Sequence, residues 1–104
     1  MTISGLINNL NSFSRTPCYD NPMYCCDGQD QYNITDIAVS NGCCFIFYGN
    51  HTDYTESPRF LVAKLRRYSH QKDYLVQFVN YETNDVFTKV RFSPYYNLVI
   101  DLIS

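Results

Sequence analysis

Tryptophan is absent from this chain, lysine occurs three times, glycine four times and proline four times, and charged residues make up only 17%. Each scarcity closes an option. Four glycines leave no phosphate-cradling loop, and none of the signatures Gly-x-x-x-x-Gly-Lys, Gly-x-Gly-x-x-Gly, Gly-x-Ser-x-Gly or His-Glu-x-x-His occurs. No apolar run reaches the roughly 18 residues of a membrane-spanning helix. The first 13 residues carry no basic leader, and Asn8, Asn9 and Asn11 interrupt their apolar character, so a secretory signal is not expected. The sequons at Asn33 and Asn50 are about what ten asparagines produce by chance, and no glycan is expected at either.

What is present argues for one globular domain over residues 1–104. Hydrophobic residues reach 45%, with ten tyrosines and seven phenylalanines, enough apolar material to bury about two thirds of the unfolded surface. Ten asparagines against three lysines suit an AT-rich genome, as viral and mobile elements often have. The net charge of −2 divides unevenly, with −5 in residues 1–58 and +3 in residues 59–104, which predicts a dipolar molecule.

Five cysteines cannot close into a complete set of intramolecular disulfides, and none of their spacings is Cys-x-x-Cys. Reduced thiols in the cytoplasm are the simplest account. A zinc site would draw on Cys18, Cys25 or Cys26, Cys43 or Cys44, and His51, but adjacent cysteines on a strand point to opposite faces, and buried inert thiols are the expected state. No metal or other cofactor is expected. A thiol nucleophile would pair Cys43 or Cys44 with His51 or His70, and no local motif marks such a pair.

Ile3, Leu6, Ile7, Leu10 and Phe13 fall on one helical face, predicting a helix over residues 2–14 with Thr2 as N-cap and Thr16-Pro17 as stop. Residues 15–31 read as a loop with turn signals at Pro17, Asp20–Pro22 and Cys26–Gly28. Residues 34–39 and 43–48 form a hairpin about Asn41-Gly42. Residues 58–68 are balanced between a strand and a short helix begun by Ser57-Pro58. The runs 74–80, 86–92 and 98–103 read as an antiparallel meander. The fold class is α+β: an N-terminal helix packed on a mostly antiparallel sheet of five or six strands, with the second helix at 58–68 as the open element.

The expected function is that of a small non-catalytic protein-interaction module, an inhibitor or accessory factor of viral or mobile-element origin, with no membrane role. Tyr95 and Tyr96 on the turn after Pro94 supply candidate anchors, and Lys89, Arg91, Arg66 and Arg67 supply candidate cations. Open sheet margins offer a second mode, strand addition. The alternative is single-stranded nucleic acid bound on a face carrying Phe87, Lys89 and Arg91. A thiol- or metal-dependent enzyme is the third reading.

Overall fold

Thr2 opens the first helix because its hydroxyl accepts the Gly5 amide at 3.1 Å while its own backbone stays extended. In this computed structural model, which describes all 104 residues apart from the side chain of Ser69, helix α1 runs Ile3–Asn11 and buries Ile3, Leu6 and Leu10. It ends before residue 14 because the hydroxyls of Ser12 and Thr16 donate to the carbonyls of Asn9 and Phe13 and close turns there.

The segment expected as a loop, residues 15–31, contains a 3₁₀ turn at Pro17–Tyr19 and a strand, β1 (Tyr24–Asp27). Its neighbours make β1. It lies between β2 (Asp30–Ser40), antiparallel, and β7 (Leu98–Ile103), parallel, so each of its four residues has a neighbour in register on both sides although the local sequence carries little strand signal. Gly28, at φ +66°, makes the turn into β2. The remaining loop is fastened by Arg59, which ion-pairs with Asp20 and stacks 4.9 Å from the centre of the Tyr19 ring.

β2 and β3 (Cys43–Gly49) form the expected hairpin, with Asn41 at φ 51° and Gly42 at φ 80°. A bulge at Thr35 sets its inward face. Ile34 pairs with Tyr48 and Ile37 with Ile46, three residues apart instead of two, which turns Asp36 out to solvent and keeps both isoleucines over the core.

Residues 58–68 resolve as helix. Ser57 caps α2 (Pro58–Leu65) by accepting the Phe60 amide, and a 3₁₀ stretch, Arg66–Gln71, follows with a kink at Tyr68. The helical crossover makes the next strand, β4 (Leu75–Asn80), parallel to β3. Just before α2, Glu56 is 1% exposed; its carboxylate accepts the Tyr54 hydroxyl on one oxygen and meets the Lys64 ammonium with the other. The Glu56 backbone joins two strands, accepting the Met23 amide and donating to the Ile34 carbonyl, each at 2.8 Å.

The C-terminal strands do not form a meander. With β5 (Val86–Phe87) and β6 (Lys89–Pro94), the sheet has seven strands in the order β5-β4-β3-β2-β1-β7-β6 and is mixed rather than mostly antiparallel. Thr88 alone separates β5 at one margin from β6 at the other. One bent strand therefore joins both margins and curls the sheet into a nearly closed barrel. Helix α1 fills the seam that is left: Val76 donates to the Met1 carbonyl at 2.8 Å, Thr2 bridges Leu75, and at the far end the Phe13 ring meets Phe92 with centroids 6.4 Å apart. Open sheet margins were expected to offer strand addition; the β4 margin is occupied by Met1, Thr2 and β5. Leu6, Leu10, Leu61 and Leu65 from the helices pack on Ile46, Phe78 and Ile100 as one core. No helix is long and apolar enough to cross a membrane among the described residues.

Candidate interaction surfaces

Strand alternation assigns the two faces of the sheet. Cys44, Ile46 and Tyr48 of β3 and Val76 and Phe78 of β4 point into the core, so Cys43, Phe45, Phe47, Leu75, Gln77 and Val79 point outward. Val86 of β5 stands opposite Val79 on that outward face. Nothing covers it. Leu75, Tyr81 and Val86 are 55%, 58% and 52% exposed.

The aromatic groups form a continuous row. Phe45 and Phe47 have centroids 6.5 Å apart, Tyr81 meets Phe47 edge-on at 6.4 Å, and the His51 ring stacks on Tyr81 at 4.1 Å. Tyr81 is held by its neighbours: its amide donates to the Tyr48 carbonyl at 2.8 Å, and the buried Asn80 side chain accepts the amides of Glu82 and Thr83. Gly49 makes the approach possible, because a Cβ there would lie 3.2 Å from His51 Nδ1 and 3.4 Å from Glu82 Oε1. Sequence reasoning missed this face, although the run Cys43 to Tyr48 is apolar on both strand faces, which is the available signal.

The residues expected to carry binding are not gathered in one patch. Tyr95 and Tyr96 stand at the β6–β7 turn, each 75% exposed, and do not fold back over the core. The turn is braced: Asn21 donates to the Tyr96 carbonyl at 2.9 Å and Asn97 to the Pro22 carbonyl at 2.7 Å. Lys89 begins β6, about 20 Å along the strand from this turn. Arg91 lies between them and pairs with Asp101 at 3.5 Å. Arg66 and Arg67 belong to the helical layer, on the opposite side of the sheet from Lys89 and Arg91. Phe87 is also displaced from its expected face. It pairs with Phe78 over the core, because Thr88 shifts the alternation before Lys89 and Arg91 point outward. The face of interleaved aromatic and basic residues is therefore not formed.

The charge division by sequence halves is not a division in space. Asp27 and Asp30, from the β1–β2 turn, lie with Glu82 and Asp85, from the β4–β5 turn, around Tyr32, whose hydroxyl pKa is raised by burial and by these four carboxylates. One end of the barrel is acidic, and both halves of the chain contribute to it.

All five cysteines are free thiols. Cys18, Cys25 and Cys44 are buried; burial pushes the Cys25 thiol up and carries Cys44 up to about 11. Cys44 sits near the start of β3, whereas His51 follows its end, about 20 Å away. No group of three or more Cys, His, Asp or Glu side chains is placed to hold a metal ion among the described residues. Compared with known proteins, the chain matches no family model, no curated protein and no solved structure.

Proposed function

We propose that the chain is a non-catalytic protein-binding module whose contact surface is the outward face of β3, β4 and β5. The observation that carries this reading is the apolar row on this face, in which Leu75, Tyr81 and Val86 stand more than half exposed beside the half-buried Phe45 and Phe47, in a fold whose other sheet face is packed against the core. Aromatic side chains on a rigid sheet bury large area with little loss of side-chain freedom, which suits interface anchors. Asp36, Glu82 and Asp85 border the row, so a partner with a basic rim fits it better than a nucleic-acid phosphate backbone. The cations that nucleic acid would need lie elsewhere, and Cys44 and His51 stand at opposite ends of β3, which supports the non-catalytic reading. Free thiols suit a reducing compartment such as the cytoplasm.

A second reading places the contact at the tip, favoured by the exposure and bracing of Tyr95 and Tyr96. One assay separates the two. In quantitative affinity capture from the native host, Leu75→Lys and Tyr81→Ala should each weaken retention of the wild-type partner by about 1 to 3 kcal/mol, while Tyr95→Ala and Tyr96→Ala leave it within about 0.5 kcal/mol. The reverse pattern assigns the contact to the tip. Retention that survives every one of these changes, or that nuclease treatment abolishes, overturns both.

A further inference from the structure

A groove of about 380 Å³ lies between α1 and the 3₁₀ stretch after α2, on the helical side of the molecule and away from the outward sheet face. Ile7 and Tyr68 give it an accessible apolar surface over the buried Ile3 and Leu65, and Ser4, Arg66 and Lys72 complete its lining. The local sequence explains why it stays open. Ile3, Leu6 and Leu10 complete the core contact of α1, which leaves Ile7 half-buried on the flank. The helical path breaks at Tyr68, and beyond it Lys72 and Tyr74 meet the start of α1, their carbonyls accepting the amides of Ser4 at 2.9 Å and Ile3 at 3.0 Å. The walls are thus fixed by backbone hydrogen bonds at one end and by core packing of Leu65 at the other.

Charge sets the chemistry of an occupant. Arg66 and Lys72 are exposed and, like Arg15, Arg67 and Lys89, have no ion-pair partner among the described residues, but these two line the groove. The groove therefore combines an apolar floor, two uncompensated cations and a volume in the range of small-molecule sites. An apolar ligand leaves the cations unused, and a compact anion leaves the floor unused. We propose that the groove binds an aliphatic carboxylate, its chain against Ile7 and Tyr68 and its headgroup at Arg66 and Lys72. The guanidinium and ammonium supply charge-assisted hydrogen bonds to the carboxylate, and the floor makes binding depend on chain length. This site is independent of the sheet face assigned to a protein partner.

The test is an amide NMR titration of the full chain with octanoate, decanoate and decanol. Decanoate should shift the amides of Ile3, Ile7, Leu65 and Lys72 and bind about fourfold tighter for each methylene it has beyond octanoate. The double variant Arg66→Gln/Lys72→Gln, at two exposed positions, should weaken decanoate roughly ten- to a hundredfold and leave decanol unchanged. Ile7→Phe, which fills the groove, should abolish the shifts for both ligands. Equal affinity of decanoate and decanol for the wild type would overturn the assignment of the headgroup. Decanoate shifts confined to Phe45, Phe47 and Tyr81 would overturn the assignment of the site. An acidic amphipathic peptide that shifts the groove amides when decanoate does not would replace the carboxylate with a protein segment.

Discussion

Lys64→Met removes the ammonium that meets Glu56 and leaves a carboxylate 1% exposed with only the Tyr54 hydroxyl as side-chain donor. Breaking a fully buried ion pair from one side costs about 3 to 5 kcal/mol, because the surviving charge is left without compensation. The Lys64 side chain is 35% exposed, so water reaches its end of the pair and the figure is discounted to about 2 to 3 kcal/mol. Glu56 also sits where the chain stitches β1 to β2 through Met23 and Ile34, so the site has little freedom to open and hydrate the carboxylate. Urea unfolding at pH 7, monitored by far-UV circular dichroism, should show the midpoint fall at unchanged slope. Adding Glu56→Gln removes the stranded charge, and the double variant should recover at least half of the loss, giving a coupling energy above about 1 kcal/mol. If Lys64→Met costs less than about 0.5 kcal/mol, or Glu56→Gln lowers the double variant further, the carboxylate does not depend on this pair and the reasoning fails.

Cys44 ionises near 9.0 when unfolded and is carried up to about 11 in the fold, first by burial and then by Cys43 beside it. Below pH 9 both states keep the proton and the contribution to stability is full; between pH 9 and 11 only the unfolded state releases it, so stability falls as pH rises, by an amount on the order of 2 kcal/mol. Cys44→Ala should show a shallower fall over that window in denaturant titrations, and an equal fall would refute the assignment. Thr88→Ala, at the residue where the alternation shifts between β5 and β6, should change stability by less than about 0.5 kcal/mol in urea unfolding, and a larger loss would show that its side chain holds the bend. Gly42→Ala, at φ +80°, should cost about 1 kcal/mol or more, visible as a lower thermal midpoint.

Helix α1 and the Asn41-Gly42 hairpin were legible because their signals are local: an apolar stripe with a cap, and a dipeptide that accepts positive φ. The second helix was half legible, since Ser57-Pro58 marks its start while Leu61, Ala63 and Leu65 also alternate as a strand would. β1 was not legible. Tyr24–Asp27 becomes a strand through β2 and β7, and β7 lies some 75 residues away in sequence, a distance over which periodicity carries no information. The parallel pairings and the closure at Thr88 are long-range in the same way. They also decide which face of residues 86–92 looks outward, so the cations at Lys89 and Arg91 were placed correctly and Phe87 was not. The apolar row on β3 and β4 was written in the sequence as apolar residues at consecutive positions, and only the packing of both helices on a single side shows that the other side keeps Leu75, Tyr81 and Val86 exposed.

Site-specific photo-crosslinking reads the contact surface without removing any of the other residues that form it. A benzophenone amino acid placed at Leu75, Tyr81 or Tyr95, one position at a time, reports which surface lies against a partner in the native host. Leu75 and Tyr81 should each yield the same crosslinked protein under irradiation, and Tyr95 none. A specific adduct from Tyr95 with none from Leu75 or Tyr81 would contradict the assignment of the outward face of β3, β4 and β5 as the contact surface.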